Sequence, residues 1–532
     1  MPVPDPRPNI LLIVADDMGY SDLGSYGGEI ETPSLDALAA RGLRATDFTV
    51  TPGCSPTRAI LLTGADNHLA GFGNAVGFMG PRQRGKPGYE GHLNDRVTTV
   101  ASRLRDAGYH TYMAGKWHLG GRPAQWPAAR GLERDFALLD GSGSHFSDMS
   151  HPDHERPIRF TLNGRRLDEL PVNHFSSAAY TDFIIRSIEE QRGDGRPFLA
   201  LLSFQAVHRP LAAPDDWLER YRGWYAMGYD SLRAQRLARM KEMGVVGKDV
   251  IASPRLPGLP AWEDLTQQEK NLAARKMEVY AAMLANMDFH IGRVIEYLEM
   301  VDELDDTLVI FLSDNGAEFV EFADRRENPS SSDVPKSWGR KGSAVAYGPA
   351  WAQVGSTPFR MFKGYLTEGG IRSPLIVAGP GVAREGEVSD ATLHVSDIVP
   401  TLLDVAGVPS KEPSRNLAPL EGKSLVPLLV AGTEEVRTNQ EWIAWELFGN
   451  RAVRQGKWKA LSLVAGAGGS GEWQLFDLRE DPAEMRDLSG ENPGKRDELA
   501  ALWDEYARTN GVILTGDGPF ARAPFSELRA GR

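Results

Sequence analysis

The chain has 532 residues, with 59 Lys and Arg against 72 Asp and Glu, a formal net charge of −13. That balance excludes a general nucleic-acid binder, which carries a basic footprint. A 41% hydrophobic content excludes a disordered chain, no apolar run is long enough to span a membrane, and the single cysteine, Cys54, excludes an internal disulfide or a thiolate metal cluster.

In chain order, the first apolar run is Ile10–Val14, which leads straight into Ala15-Asp16-Asp17 and so reads as a core strand. No basic stretch precedes it and no cleavage site follows. The expected compartment is therefore the cytoplasm, or the periplasm if a leader is missing. Thr32-Pro33-Ser34-Leu35 opens a helix that Gly42 closes. Val100 to Gly108 reads as a helix, Tyr109–Ala114 as a strand, Ser177–Gln191 as a helix and Phe198–Phe204 as a buried strand. Thr266 and Glu269 have the form of a capping box for a long helix toward Met300, whose apolar positions keep steps of three and four. Thr307–Leu312 and Pro374–Val377 are further strands, and Ser396–Gly407 is an amphipathic helix. Residues 209–265 and 319–356 are polar or punctuated by Pro and Gly, and read as loops covering a site.

Alternating strands and helices predict an α/β fold with a large, mixed, mostly parallel sheet between helices. After about residue 430 the texture changes. Trp442–Phe448, Arg451–Arg454, Trp458–Val464 and Glu472–Leu478 read as short strands joined by Gly-containing turns, and Arg496–Thr509 as a helix. The expected organisation is a catalytic α/β domain over 1–430 and a small C-terminal antiparallel sheet with a helix over 431–532.

Three predicted strands end in chemistry-bearing residues: Asp16-Asp17, His208 and Asp314-Asn315. In open α/β sheets, ligands bind beyond the carboxyl ends of the strands. Taken singly, these Asp and Asn residues are ordinary turn formers. Together they form an all-oxygen set suited to Ca²⁺ or Mg²⁺ and not to a soft metal. In Cys54-Ser55-Pro56-Thr57-Arg58, Ser55 and Pro56 read as N-cap and first helical residue. That arrangement sets Cys54 off the positive end of a helix, with Arg58 on the same side.

Cys54-Ser-Pro-Thr-Arg58 followed by Leu62-Thr63-Gly64 resembles the signature of type I, formylglycine-dependent sulfatases of the alkaline phosphatase superfamily. So do Asn9 to Asp17, Gly115-Lys116-Trp117-His118-Leu119-Gly120, Ser313-Asp314-Asn315-Gly316, and Lys363-Gly364 with Glu368 through Pro374. The tail Gln474–Asp477 with Asp481-Pro482 agrees, and the likeness is nearest to bacterial arylsulfatases.

The resemblance implies an alkaline-phosphatase-like fold and a sulfuric ester hydrolase acting on small aryl or alkyl sulfates. It implies that a maturation enzyme oxidises Cys54 to formylglycine (3-oxoalanine), whose hydrate attacks sulfur. The covalent sulfo-enzyme then releases sulfate by elimination. Asp16, Asp17, Asp314 and Asn315, with Cys54, match the residues around one Ca²⁺, Mg²⁺ not being excluded by ligand type. Arg58 and Lys116 match the pair that steadies hydrate and sulfate, and His118 the base in sulfate release. His208 and Lys363 match the groups at the ester oxygen, so that Lys116, His208 and Lys363 all touch substrate.

Two alternatives stay open: a phosphonate monoester or phosphodiester hydrolase with the same nucleophile, and a silent binder of sulfated ligands. Phe78-Met79 and His145-Phe146 are candidates for the leaving-group pocket. Trp117 is expected to pack. His68, His92, His110, His145, His151, His154, His174, His290 and His394 are read as structural or surface residues.

Overall fold

The computed structural model describes residues 7–152, 156–320, 335–410, 416–465 and 468–515. The strands are β1 Asn9–Ala15, β2 Gly42–Thr49, β3 His110–Lys116, β4 Arg134–Leu138, β5 Phe160–Leu162 and β6 Arg165–Leu167, then β7 Phe198–Ser203, β8 Thr307–Ser313, β9 Arg372–Ala378, β10 Val388–Ser389 and β11 Leu393–His394. They form one eleven-stranded sheet in the order β10-β2-β9-β8-β1-β7-β3-β4-β5-β6, with β11 also on β2. From β8 to β4 the pairing is parallel, while β9 runs antiparallel to both β8 and β2. The carboxyl ends of β8, β1, β7, β3 and β2 therefore open on the same edge.

The middle of the sheet is buried on both faces, which is why β1 reads as an unbroken apolar run. Leu11, Ile13 and Ala15 join a core layer with Tyr280, Met283 and Met287 of the Gln267–Met300 helix. Ile10, Leu12 and Val14 join the opposite layer with Ile60, Leu61 and Leu402. The long helix begins at the expected place: Thr266 and Glu269 form the reciprocal capping box. No helix among the described residues is long and apolar enough to cross a membrane.

Two expectations are corrected, and two strands went unforeseen. The segment 209–265 is not only loop, because Gly228–Glu242 is a helix. Its buried residues Tyr229, Leu232, Arg236 and Met240 keep steps of three and four, but Arg236 stands at one of those inward positions. The guanidinium is fully buried and neutralised there by Asp22, bonded at 2.5 Å, and by Glu29 at 2.8 Å. The helix at Cys54 starts two residues earlier than Ser55-Pro56 implied, with Gly53 as N-cap and Cys54 as its first residue. Pro56 is tolerated there because amides of the first turn have no intrahelical partner in any case. Strands β2 and β4, which carry Arg44 and Asp47, and Arg134 and Asp135, had no apolar run to announce them.

The C-terminal region forms a four-stranded antiparallel sheet of β12 Trp442–Leu447, β13 Asn450–Gln455, β14 Trp458–Ser462 and β15 Gln474–Asp477, covered by the helix Pro493–Asn510. The turn at Gln455-Gly456 is a hairpin in which Gln455 faces Trp458. Part of the glycine-rich turn over 465–471, at 466–467, lies outside the described residues.

Buried charges fasten this sheet to the large one. Arg454 grips both oxygens of Asp47 at 2.6 and 2.5 Å. Lys459, fully buried, bonds Glu368 at 2.6 Å, Glu484 at 2.8 Å and the Leu366 carbonyl at 2.7 Å. Removing one partner of a buried pair leaves an uncompensated charge. Lys459→Met is therefore expected to destabilise the protein by about 3–5 kcal/mol in urea unfolding. A change under about 1 kcal/mol, the size of a surface pair, would refute the anchoring role.

A second anchor is His68, between Asp66 at 3.0 Å and Glu446 of β12 at 3.1 Å, with Tyr506 of the C-terminal helix on Asp66 at 2.9 Å and Tyr89 edge-on. Burial alone would lower its pKa, but the two carboxylates overcome this and hold it up to about 9. A raised folded-state pKa gives stability fully present below the unfolded value near 6.5 and lost as pH climbs through 9. Unfolding free energy is thus expected to fall by about 3 kcal/mol between pH 6 and 10, and His68→Phe to remove most of that slope. An unchanged slope in the variant would contradict this assignment.

Candidate active site

The shared carboxyl edge collects the residues named from sequence. Beyond β1, Asp16 stays in the sheet's backbone ladder, its N–H donating to Ala206 O at 3.0 Å. The next residue, Asp17, turns away with φ 65. After β3, Gly115 lies so close to β7 that a Cβ there would stand 1.7 Å from Ser203 O, so only glycine permits the approach that positions Lys116. His118 follows with φ 55. Left-handed backbone is uncommon for such residues, and here it occurs twice at strand ends that carry chemistry.

Four cationic or basic side chains meet the carboxylates. Lys116 Nζ lies 2.6 Å from Asp16 Oδ2, and Arg58 Nε donates to Asp314 Oδ2 at 2.7 Å. Arg58 Nη1 is held by Lys116 O at 2.9 Å and Ser203 Oγ at 2.6 Å, and Nη2 stands 3.8 Å from Asp16 Oδ1. Lys363 Nζ reaches Asp17 Oδ2 at 2.7 Å and Glu318 Oε2 at 3.2 Å. His208 Nδ1 donates to Arg209 O at 2.6 Å, which directs Nε2 to within 3.4 Å of Asp17. A carbonyl only accepts, so this bond fixes Nδ1 as the protonated nitrogen.

Cys54 is buried, with Sγ 3.5 Å from Asp17 Oδ1. Burial, with Asp314 and Asp17 adding to it, pushes the thiol well above its ordinary pKa. This thiol is the reverse of an activated thiolate, which sits among cations with its pKa depressed. His118 is half-buried with its Nδ1 atom buried and unpartnered, and desolvation, then Lys116 and Arg58, hold it well below the ordinary imidazole value. Gly141 backs directly onto it: a Cβ there would fall 2.5 Å from His118 Cε1.

The acidic residues fit a hard divalent cation. Burial pushes Asp16 up to about 8 against the pull of Lys116, with Asp314 and Asp17 raising it further. Two buried oxygens lack hydrogen-bond partners, Asp16 Oδ1 and Asn315 Oδ1. The Asn315 amide nitrogen donates to Asp17 Oδ1 at 2.7 Å and Gly316 O at 2.9 Å, which leaves Oδ1 as its unsatisfied atom. Ligand atoms of Asp16, Asp17, Cys54 and His208 all lie within 4.8 Å of one another. A carboxylate as costly to ionise as Asp16, beside orphaned oxygens, is what a bound cation relieves.

Sequence reasoning missed Glu318, a 3% exposed carboxylate that holds Lys363 and stands 3.8 Å from His208 Nε2. The only signal was an acidic residue among apolar ones, Ala317-Glu318-Phe319, just past a strand end. The site opens into a cleft of about 580 Å³. Of the four pocket candidates, Phe78 lines it and His145 does not: His145 Nδ1 is taken by Ser176 Oγ at 2.7 Å. Phe146 instead pairs with Phe175. His151, read as structural, does line the cleft, and His154 lies outside the described residues. Trp117 packs as expected, 1% exposed with Nε1 on Gln125 O.

The sulfatase family model matches residues 8–408, and the model described as N-sulphoglucosamine sulphohydrolase, C-terminal, matches residues 359–508. An uncharacterized sulfatase of Schizosaccharomyces pombe is 40% identical, covering 96% of this chain and 95% of its own length. An arylsulfatase of Klebsiella aerogenes is 39% identical, covering 80% of this chain and 90% of its own. The solved structure of Ps i-CgsB in complex with k-i-k-neocarrahexaose shares the fold, with a TM-score of 0.70 at 22% identity over 99% of this chain and 100% of that one. Match and architecture extend from the first strand to the C-terminal sheet, and the chain belongs to the sulfatase family, as a hydrolase of sulfuric esters with an alkaline-phosphatase-like fold.

Proposed function

We propose that Cys54, once oxidised to formylglycine by a maturation enzyme, is the nucleophile of this sulfatase, and that the acidic cluster holds one Ca²⁺. The observation that supports this most is the setting of Cys54. It occupies the first turn of a helix beside Asp17, within electrostatic reach of Lys116 and Lys363, and burial raises its thiol pKa. A thiol attacking sulfur would in any case leave a thiosulfate ester with no internal route to breakdown. A geminal diol supplies both an attacking hydroxyl and a second hydroxyl through which sulfate can be expelled. A cation on Asp16, Asp17, Asp314 and Asn315 supplies charge neutralisation where a sulfate oxygen would sit.

The remaining residues divide the work by position and charge. Arg58 and Lys116 are held by Asp314 and Asp16, and orient the nucleophile and the sulfate. Burial opposes the Lys363 ammonium, yet Asp17, with Glu318, keeps its pKa well above the ordinary value, so it stays cationic and offsets charge on the departing ester oxygen. His208, neutral and fixed by Arg209 O, presents Nε2 beside it. His118, also neutral, has an unpartnered Nδ1 and a basic lone pair for the proton that leaves during sulfate release.

The test is a matched pair of substrates with protein co-expressed with a formylglycine-generating enzyme. 4-Nitrophenyl sulfate is expected to show the higher kcat/KM, and 4-nitrophenyl phenylphosphonate the lower. The reverse order would make the protein a phosphonate hydrolase, and binding of the aryl sulfate without turnover, in matured protein, would make it a silent binder.

A further inference from the structure

The cleft above Cys54 has two unlike walls. On the side of Pro52 and Gly53 the wall is apolar, made by Val76, Phe78 and Phe448. Phe78 and Phe448 meet edge to face with centroids 5.6 Å apart, and Phe78 remains 43% exposed. Phe448 comes from the turn between β12 and β13, where it adopts φ 58 ahead of Gly449 at φ 84. A bulky residue rarely takes left-handed backbone, and the Phe448 ring, 3% exposed, packs against Phe78 at the cleft lining.

A second part of the lining lies beside His118. Asp140 immediately precedes Gly141, the residue that backs onto His118, and it carries two arginines. Arg159 is committed to it: Nη2 bonds Oδ1 at 2.7 Å, Nε lies 3.3 Å from both oxygens, and the backbone N–H donates to Oδ2 at 2.7 Å. Arg156 meets the same carboxylate through Nη2 alone, at 2.9 Å, with its side chain 49% exposed at the cleft. Among the described residues of this wall, one carboxylate meets two guanidiniums, an excess of positive charge beside the half-exposed Arg156. Guanidinium donors in a fork match carboxylate and sulfate oxygens.

Building on the sulfatase reading, we propose that the substrate is the sulfate ester of a flat, aromatic alcohol bearing a second anionic group. Its ring lies along Phe78 and Phe448, and its carboxylate or second sulfate is read by Arg156. An apolar wall rewards a ring by area and by edge-to-face contact, whereas a sugar would leave its hydroxyls unpaired against it. The charge on the second wall selects among aryl esters without touching the reacting sulfur.

The test uses matured protein with phenyl sulfate, its 3- and 4-carboxyphenyl counterparts, and N-acetylglucosamine 6-sulfate. The better carboxyphenyl isomer is expected to exceed phenyl sulfate in kcat/KM by about tenfold, through KM, as one charge-assisted hydrogen bond allows. Arg156→Gln should bring that ratio close to one, and Arg156→Lys should restore part of it. Phe448→Ala should lower kcat/KM for all aryl esters. The proposal is overturned if Arg156→Gln leaves the ratio intact, if no carboxylate preference exists, or if the sugar sulfate is the best of the four. In those outcomes phenyl sulfate is still hydrolysed and the sulfatase reading stands. If none of the four is hydrolysed, that reading falls and takes the proposal with it.

Discussion

Cys54→Ala is expected to lower turnover of an aryl sulfate by about 10⁴-fold or more, the scale on which nucleophile deletions act. The fold should be almost untouched. The side chain is small, 7% exposed, and makes a polar contact with Asp17 at 3.5 Å. The helix it begins is held by other means, with Thr57 N–H on Gly53 O at 3.2 Å and the Gly64 cap on Ile60 O. Urea unfolding should therefore change by no more than about 1 kcal/mol. Turnover within tenfold of the parent would refute Cys54 as the source of the nucleophile, whatever the state of the rest of the site.

The second large effect is expected at Asp314. Its Oδ2 takes Arg58 Nε at 2.7 Å and its Oδ1 the backbone N–H of Asp17 at 3.2 Å, so it joins the cationic and the acidic halves of the site. Arg58 lowers the Asp314 pKa despite burial, which keeps this carboxylate charged. Removing partners that merely orient metal ligands costs 10–100-fold, so loss of a ligand should cost more. Asp314→Ala is expected to lose at least about a hundredfold in both Ca²⁺ affinity and kcat/KM. Titration calorimetry with Ca²⁺ reads the first without reference to activity. Full Ca²⁺ affinity with lost turnover would mean that Asp314 serves Arg58 alone and does not bind metal.

Much of this site was legible because chemistry and strand ends coincide. Burial on both faces gave β1, β7 and β8 their apolar runs, and each run leads into residues of the candidate site. The Thr266–Glu269 box and the stepped apolar face did the same for the long helix. Other elements were hidden where a charge is buried with its partner far away in sequence. Arg236 breaks the apolar face of the Gly228–Glu242 helix, and its partners Asp22 and Glu29 lie more than 200 residues earlier. Strand β2 is masked in the same way by Asp47, whose partners Arg372 and Arg454 come from the other end of the chain. Glu318, Arg156 and Phe448 sit on loops, where no periodicity marks a side chain as facing the cleft. Only the three-dimensional arrangement brings them together.

The central claim is that Cys54 becomes an aldehyde, and the mass of the tryptic peptide Ala45–Arg58 tests it most directly. In protein co-expressed with a formylglycine-generating enzyme, the peptide is expected to have exchanged one sulfur and two hydrogens for one oxygen at Cys54. The converted fraction should rise in step with sulfatase activity. An intact thiol in a preparation that hydrolyses aryl sulfates would contradict the account, because turnover would then proceed without the aldehyde.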